Sequence, residues 1–388
     1  MQATRSIRVP CESVAVNKVV LLAAGGTGGH LFPAASLAAA MVERSWHVHL
    51  ATDHRVETYG KDFPAEQTHI IPSATITRQP IAAARAVLSL GHGLLKASRI
   101  IAKIKPEVAV GFGGYPTVPP ILAAWLRGVP TVVQEQNGVL GRANRFLGSR
   151  ATAIATGFSS VAVGGQLAEK MVETGNPVRP AVRAVSTIAY PERTATDPFS
   201  LLVFGGSQGA RFMSDTVPPA LAQLPEPLRQ RLRVMQQCRP EDMARVAKAY
   251  KEMQVSAELE PFFRDMPERM ARSHLVVSRS GASTVAELAV ISRPAIMVPL
   301  PHALDQDQKA NAEILAKAGG GWMIEQKDMT PQRLATDIEA LIEDPGRLAT
   351  AAKAARTIGR TDAVERLADL VEGVADREPI ASLKGRFA

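Results

Sequence analysis

Two stretches of this sequence repeat one arrangement: a short apolar run leads into a glycine-rich turn and then into a helical pattern. In the first, residues 18–24 precede Gly25-Gly26-Thr27-Gly28-Gly29-His30, and in the second, residues 200–204 precede Gly205-Gly206-Ser207-Gln208-Gly209-Ala210. A buried strand followed by a helix is the repeating unit of parallel sheets covered by helices. The sequence therefore predicts an α/β protein with two Rossmann-like domains that face each other across a cleft.

The length and composition fit two folded domains. A chain of 388 residues is too long for one core of ordinary size, and 46% hydrophobic with 21% charged residues is the balance of a folded protein. The two cysteines, Cys11 and Cys238, form neither a disulfide framework nor a metal-binding cluster, which favours a reducing, cytoplasmic setting. No apolar run reaches the roughly 18 residues of a membrane-spanning helix, so we expect no transmembrane segment.

The domain boundary is predicted at a rigid break. The run Gly175-Asn176-Pro177-Val178-Arg179-Pro180 combines turn residues with two prolines, and the residues that follow it show no hydrophobic periodicity. We therefore expect a first domain over residues 1–178 and a second over residues 179–360. A final helix over residues 361–376 is expected to pack back on the first domain.

Neither glycine-rich turn is a standard phosphate-binding motif. A P-loop ends in Gly-Lys-Ser/Thr, and the dinucleotide pattern has a glycine where this chain has Leu31. Asp53 follows the second strand, where a dehydrogenase binds ribose, so that alternative stays open. The small residues before His30 indicate that backbone approaches a ligand while the imidazole acts as a general base or as a structural hydrogen-bond donor.

The second half of the chain carries its densest set of ligand-type side chains. Arg279 can bind an oxyanion or a carboxylate, and Glu287, about one turn into the helix that follows, can accept paired sugar hydroxyls. Asp305, Gln308 and Asn311 follow at spacings of three, which on a helix places them on one face. An ordinary capped helix with a solvated polar face explains the same residues.

Two strand ends in the first half are also polar. One carries Gly113-Gly114-Tyr115, and the other carries Glu135-Gln136-Asn137. A carboxylate and two amides at one strand end suit hydrogen bonding to a polyhydroxylated substrate. A capped turn explains them nearly as well.

Residues 67–106 contain no Asp or Glu but six Lys and Arg residues. At helical spacing their positive charges form a stripe beside apolar residues, which predicts docking on an anionic membrane surface. The expected docking residues are Arg78, Arg85, Lys96, Arg99 and Lys103. A core helix with a solvated basic back is the alternative, and Gly91 and Gly93 are expected to weaken the helix. The absence of Phe, Trp and Tyr from this segment argues against nucleic acid as a partner.

Taken together, these motifs resemble those of the MurG family of glycosyltransferases. The match covers about residues 18–374, with five motifs in the family's order: residues 25–30, 113–115 with 135–137, 175–179, 205–210 and 279–287. The resemblance implies the GT-B fold and an inverting, metal-independent transfer of GlcNAc from UDP-GlcNAc to the 4-hydroxyl of lipid I, which yields lipid II and UDP. It also implies a peripheral enzyme on the cytoplasmic face of the inner membrane, with a role in peptidoglycan synthesis, cell shape and cell division.

The resemblance also assigns roles to individual residues. His30, Glu135 and Tyr115 are the expected catalytic or acceptor-positioning groups, and which of them takes the proton stays open. Residues expected to bind UDP-GlcNAc are Thr27, Gly28, Gly29, His30, Asn137, Arg179, Ser207, Gln208, Arg279, Ala282, Thr284, Glu287 and Gln308. No cofactor is expected, and other proteins of cell-wall synthesis are expected partners.

The chain departs from the family pattern at two positions. Gln134 stands where many relatives have His, and Asp307-Gln308 stands where some have Gln-Gln. Asp305 and Asp307 also form an Asp-x-Asp pair, which in other glycosyltransferases holds a metal. We expect no metal, because the arginine and the helix N-termini already neutralise a pyrophosphate.

Three other functions are compatible with parts of the sequence. Another lipid or sterol glycosyltransferase of the GT-B type shares the fold but lacks the Glu135-Gln136-Asn137 motif. A UDP-sugar epimerase shares the twin domains but needs acid and base groups on both faces of the sugar. A non-catalytic nucleotide-sugar-binding module predicts binding without turnover.

Overall fold

The computed structural model describes residues 18–25, 28–55, 62–73, 80–159, 161, 164–301, 303 and 305–387, with the side chains of residues 80–87 and 207–210 excepted. Two parallel sheets, one in each half of the chain, organise these residues. The prediction of a two-domain α/β fold of the GT-B type is therefore confirmed.

The first sheet has seven strands in the order β3-β2-β1-β4-β5-β6-β7, and all neighbours pair in parallel. Its strands are β1 Val19–Ala23, β2 His47–Thr52, β3 Gln67–Ile70, β4 Val108–Gly111, β5 Thr131–Glu135, β6 Ala153–Thr156 and β7 Met171–Glu173. The helices that follow its strands are α1 Gly28–Glu43, α2 Pro80–Ile104, α3 Val118–Leu126, α4 Arg142–Gly148 and α5 Gln166–Lys170.

The second sheet has six parallel strands in the order β10-β9-β8-β11-β12-β13. They are β8 Phe199–Phe204, β9 Leu232–Gln237, β10 Ser256–Glu260, β11 Leu275–Ser278, β12 Ala295–Met297 and β13 Gly321–Met323. The helices around it are α6 Pro180–Val185, α7 Gly206–Leu221, α8 Glu226–Arg231, α9 Met243–Glu252, α10 Met266–Arg272, α11 Ala282–Ile291, α12 Asp307–Lys317, α13 Pro331–Glu343 and α14 Pro345–Ile358.

Each sheet is buried on both faces, which explains why its central strands are continuous apolar runs. In β1, Val20 and Leu22 pack into one core cluster while Leu21 and Ala23 pack into another on the opposite face. The alternation follows from the two-residue period of a strand. Helices must therefore cover both sides, and the loops at the strand ends are left to bind ligands.

The chain ends by returning to the first domain. Helix α15 Ala363–Ala375 places Leu367 and Leu370 in the same apolar cluster as Val20 and Leu22 of the first sheet, and α16 Ile380–Phe387 follows it. Arg44 of α1 also forms an ion pair with Glu372, with 2.6 Å between Nη1 and Oε2. The first core is thus completed by the last residues of the described chain.

The structure differs from the sequence-based expectation at several element boundaries. Both glycine-rich turns already belong to helices, since α1 begins at Gly28 and α7 at Gly206. Helix α2 runs through Gly91 and Gly93 without a break, because Gly93 allows close packing: a Cβ there would lie 2.2 Å from the carbonyl oxygen of Pro72. The short outer strands β3, β7, β10 and β13 were not predicted, because they carry little apolar signal of their own.

Replacement of Leu367 by alanine tests whether α15 is part of the first core. Leu367 is fully buried, so Leu367→Ala should lower the free energy of unfolding by about 2–5 kcal/mol through lost burial and a cavity. Leu95, which is 61% exposed on α2, is the matched control, and its alanine variant should change that free energy by less than about 0.5 kcal/mol. Equal effects of the two variants in chemical denaturation would contradict the packing of α15.

Candidate active site

The predicted site residues cluster at the carboxyl ends of the strands, where the order of each sheet reverses. In the first sheet the reversal lies between β1 and β4, and in the second it lies between β8 and β11. Ligands of open α/β sheets bind outside the strand ends at such points, because the flanking loops diverge and leave a crevice. Both glycine-rich turns stand at these positions.

His30 lies in the first turn of α1 and packs against the backbone after β4. A Cβ built on Gly114 would lie 3.2 Å from His30 Cε1, and one built on Gly113 would lie 3.4 Å from His30 Nε2. Gly113 and Gly114 also have φ angles of 89° and 77°, a region that other residues rarely adopt. The structure thus joins two motifs that are far apart in the sequence.

The surroundings of His30 keep its imidazole neutral. Burial lowers the pKa of His30 to about 4, and the nearby Arg55 guanidinium acts in the same direction, while Asp53 opposes them. A neutral imidazole can accept a proton, so its charge state at neutral pH is compatible with a general base.

Asp53, which the sequence left open as a ribose acceptor, pairs with Arg55. The Arg55 Nη2 to Asp53 Oδ2 distance is 2.6 Å, and the Arg55 Nε atom lies 3.1 Å from each carboxylate oxygen. Arg55 was not among the predicted site residues, although an arginine two residues after an acid at a strand end is a signal for such a pair. The Asp53 carboxylate therefore neutralises a cation that lies beside His30.

Glu135 is buried and accepts four hydrogen bonds. Its Oε1 accepts from the Asn137 backbone and side-chain amides, both at 3.0 Å, and its Oε2 accepts from Gly141 N at 2.8 Å and Asn144 Nδ2 at 3.0 Å. Burial raises the pKa of Glu135, and these donors oppose the rise. This geometry favours a structural role for Glu135, which would hold the loop after β5, rather than a role in proton transfer. Its catalytic assignment stays a prediction.

Two further residues lie at strand ends of the first sheet, Gln134 in β5 and Tyr115 after β4. Gln134 is fully buried, and its Nε2 donates to Asn176 Oδ1 at 3.2 Å, so the residue found here in place of histidine helps to connect β5 with the linker between the domains. Tyr115 is half-buried and begins the short 3₁₀ turn Tyr115–Thr117 after Gly114.

Arg279 is a buried cation in the loop between β11 and α11. Its Nη1 donates to the carbonyls of Val298 and Pro299, both at 3.1 Å, and its guanidinium stacks over the Phe212 ring at 5.2 Å. Burial lowers its pKa to about 10, so it stays charged at neutral pH. Among the described residues no carboxylate pairs with it, and its buried Nε has no hydrogen-bond partner. Such a cation is suited to an anionic ligand.

Arg179 and Glu287 form a bidentate ion pair. The Nε–Oε1 and Nη2–Oε2 distances are 2.9 and 3.0 Å. Burial raises the pKa of Glu287, and Arg179 opposes that rise. Two groups that the sequence predicted to contact the nucleotide are therefore neighbours, and a ligand hydroxyl at Glu287 would share its carboxylate with Arg179.

The remaining predicted donor residues lie mainly at helix starts. Gly28 and Gly29 lie in the first turn of α1, Ala282 and Thr284 in the first turn of α11, and Ser207 and Gln208 in the first turn of α7, where their side chains fall outside the description. Free backbone N–H groups at such helix starts favour an anion. Thr27 lies outside the described residues.

The expectation that Asp305, Gln308 and Asn311 share one helical face was wrong for Asp305. Helix α12 begins at Asp307, and Asp305 instead pairs with Arg142 of the first domain at 3.1 Å. Gln308 Oε1 accepts from Leu300 N at 3.0 Å. Asn311 is fully buried and contacts the loop after β5, a contact that sequence spacing could not reveal.

The predicted docking surface is only partly described. Lys96, Arg99 and Lys103 are exposed on α2, while Arg78 and the side chain of Arg85 lie outside the description. Exposed apolar side chains accompany them on α2, α3 and α4: Leu88, Leu95, Trp125, Leu126 and Phe146. The last three were not predicted, because they lie outside the basic segment of residues 67–106, and their own short helices bury most of their other apolar residues. We call the eight exposed residues named in this paragraph the α2–α4 patch.

The described part of the chain contains neither a membrane-spanning helix nor a metal-binding cluster. None of its helices is both long and apolar enough to cross a bilayer. No three His, Cys, Asp or Glu side chains in these ranges come together as a metal-binding group.

Comparisons with known proteins identify the class. The family model for the glycosyltransferase family 28 N-terminal domain matches residues 20–156, and the model for the C-terminal domain matches residues 200–367. The first range covers β2 to β6 and nearly all of β1, and the second covers β9 to β13 and nearly all of β8. The chain is therefore a glycosyltransferase.

Similar proteins give a narrower placement. A UDP-N-acetylglucosamine–N-acetylmuramyl-(pentapeptide) pyrophosphoryl-undecaprenol N-acetylglucosamine transferase from Rhodopseudomonas palustris is 56% identical over 92% of this chain and 98% of the relative. One from a Methylobacterium strain is also 56% identical, over 91% of this chain and 96% of the relative. The crystal structure of Acinetobacter baumannii MurG matches with a TM-score of 0.75 at 28% identity, over 92% of this chain and 99% of that one. The chain belongs to the MurG family, within glycosyltransferase family 28.

The fold alone would not have led to this placement. A putative UDP-N-acetylglucosamine 2-epimerase from Listeria monocytogenes matches with a TM-score of 0.64 at 16% identity, over 94% of this chain and 98% of that one. Transferases and epimerases thus share this architecture. The sequence relatives, rather than the fold, decide against the epimerase alternative.

Stability against pH tests the environment of His30. Because the folded-state pKa lies below the ordinary value, protons favour the unfolded chain, and stability is lost as the pH falls from about 6.5 towards 4. Between pH 7 and pH 5 the wild type should lose up to about 2 kcal/mol more unfolding free energy than His30→Gln. Denaturant titrations of both proteins at the two pH values measure the difference, and parallel losses would contradict the buried environment.

Proposed function

We propose that this protein transfers GlcNAc from UDP-GlcNAc to the 4-hydroxyl of the MurNAc sugar of lipid I, giving lipid II and UDP in peptidoglycan synthesis. Its family membership supports this reaction. The observation that best supports the binding of UDP-GlcNAc is Arg279 in the loop between β11 and α11. It is a buried guanidinium without a carboxylate partner in the described chain. In this proposal, residues 179–360 bind the donor UDP-GlcNAc and residues 1–178 bind the acceptor lipid I.

The donor would lie against the second sheet. Its pyrophosphate would face Arg279 and the starts of α7 and α11, where the N–H groups and helix dipoles stabilise the negative charge that develops on departing UDP. Glu287 would accept the ribose hydroxyls, with Arg179 beside it, and Gln308 and Asn137 would hold the sugar. This charge stabilisation supports a transfer that needs no metal ion.

The acceptor would approach from the first domain. Its 4-hydroxyl oxygen forms a bond to the anomeric carbon as the bond from that carbon to the UDP oxygen breaks, and UDP leaves with the electron pair. Attack from the face opposite to UDP inverts the anomeric centre. The hydroxyl proton passes to a base, for which His30 is the candidate because its imidazole is neutral and can accept a proton. Glu135 would hold the loop that carries Asn137, with Tyr115 beside the acceptor.

A lipid-linked acceptor requires contact with a membrane. The α2–α4 patch combines exposed basic and apolar side chains on the first domain, the chemistry of a peripheral anchor on anionic lipid. We therefore place the enzyme on the cytoplasmic face of the bacterial inner membrane. There it would work with other cell-wall synthesis proteins, in support of cell shape and division.

A transfer assay in the presence of EDTA tests the reaction. Purified protein is incubated with radiolabelled UDP-GlcNAc and a short-chain lipid I analogue, and label in the lipid product is followed together with the linkage formed. The expected result is a β-linked product at the same rate with and without the chelator. Release of an epimerised nucleotide sugar, or UDP-GlcNAc binding without transfer, would contradict the proposal.

The His30→Ala variant tests the base. Turnover should fall by about two orders of magnitude or more, the usual contribution of a general base, whereas the dissociation constant for UDP-GlcNAc should change little. Near-normal turnover would remove His30 from proton transfer. Ser36→Ala on the same helix is the control and should keep its turnover within about twofold.

Loss of Trp125 and Phe146 tests the docking surface. The double alanine variant should bind vesicles that contain anionic phosphatidylglycerol at least tenfold more weakly, since burial of apolar area contributes about 25 cal/mol per Å². Phe262, which is 69% exposed in the second domain, is the matched control for removal of an exposed aromatic ring. Equal binding of the double variant and Phe262→Ala in a vesicle sedimentation assay would contradict the placement of the patch.

A further inference from the structure

The two domains meet at a buried asparagine of the second domain. Asn311 lies on α12, is fully buried, and uses both ends of its amide. Its Oδ1 accepts from Gly138 N at 2.8 Å, and its Nδ2 donates to Asn137 Oδ1 and to Ser280 O, both at 3.1 Å. One side chain thus joins the loop after β5 in the first domain to the loop before α11 in the second.

These bonds extend a chain of hydrogen bonds across the cleft. On the first-domain side, Asn137 is held by the Glu135 carboxylate through two donors at 3.0 Å. On the second-domain side, Ser280 is fully buried, directly follows Arg279, and donates from Oγ to Gln308 O at 2.7 Å. The two residues proposed to hold the sugar, Asn137 and Gln308, are therefore linked through Ser280 and Asn311.

Close packing surrounds the same contact. A Cβ built on Gly138 would lie 2.7 Å from Ile314 Cδ1 and 3.3 Å from backbone atoms of Ala310, so only glycine fits there without a shift. The exposed pair of Arg142 and Asp305 bridges the domains nearby. Because buried amides without partners are costly, opening the cleft at this point means exchanging the two Asn311 bonds to the first domain, those with Gly138 N and Asn137 Oδ1, for water.

We propose that Asn311 is a positioning residue that fixes Asn137 against the donor loop, so that the sugar contacts from both domains form together. This inference rests on the proposed transfer reaction. Asn311 acts through Asn137 and Ser280, and so its loss should misplace the sugar relative to the acceptor while leaving the nucleotide contacts at Arg279 and Glu287 intact. A misplacement of this kind lowers turnover more than donor affinity.

Two variants that disturb the contact in different ways test the proposal. Asn311→Ala removes the three hydrogen bonds, and Gly138→Ala pushes the loop away from α12 while Asn311 keeps its amide. Both should lower kcat at least tenfold and change the dissociation constant of UDP by less than threefold. Gly385→Ala, where a Cβ meets open space, is the control and should match the wild type in both quantities.

Hydrogen–deuterium exchange provides a readout that does not depend on activity. In Asn311→Ala, the peptide that contains Gly138 should exchange at least tenfold faster than in the wild type, while peptides of β5 keep their rates. Unchanged exchange at Gly138, unchanged kcat in both variants, or a loss of kcat matched by an equal loss of UDP affinity would each overturn the proposal. Absence of transfer by the wild type would instead overturn the proposed function, and the exchange rates would still decide whether Asn311 holds the loop.

Discussion

Arg279 is a positive charge held inside the protein without a negative partner in the described chain. Burial of an unpaired charge is among the least favourable features a fold can contain, and here it is offset only by carbonyl oxygens, an amide oxygen and an aromatic face. One of these carbonyls is held by the sheet, because the N–H of Val298, a fully buried residue, donates to Ser278 O at 2.8 Å. A fold that holds such a cation at a sheet crevice, beside helix starts, is built to receive an anion. The proposed binding of UDP-GlcNAc depends on this unpaired charge.

The first domain supplies a different environment. Its crevice holds a neutral imidazole and an internally satisfied carboxylate, and Arg55, the cation beside that imidazole, is paired with Asp53. In the proposed reaction, the negative leaving group would face the cationic side of the cleft, and the neutral acceptor with its transferable proton would face the other side. This division of charge follows from which side chains the strand ends carry, since the two sheets themselves have nearly the same topology.

Much of this architecture could be predicted from sequence, for reasons that individual elements make clear. Strands such as β1 and β11 are buried on both faces, so their apolar runs and the glycines after them are strong local signals. Short outer strands such as β10 are half-exposed and gave no such signal. The helix starts at Gly28 and Gly206 were missed because glycine has low helix propensity, and here the tertiary fold overrides it.

Contacts between distant segments were the part that sequence could not supply. Nothing local to His30 indicates that Gly113 and Gly114 pack against its ring, and nothing local to Asn311 indicates that it meets Asn137. Arg179 and Glu287 were each assigned to the nucleotide, yet their mutual pairing depends on how the linker folds back on α11. Sequence patterns and the family resemblance identify the candidate site residues, whereas the packing of the two domains determines which of them are in contact.

The most direct test of this account is a crystal structure with UDP bound. We expect the pyrophosphate within hydrogen-bond distance of Arg279 and of the first turns of α7 and α11. The ribose hydroxyls should contact Glu287, and the Arg179 guanidinium should shift to share that carboxylate with them. UDP bound at the crevice of the first domain, with the Arg279 guanidinium still contacting only protein atoms, would contradict it.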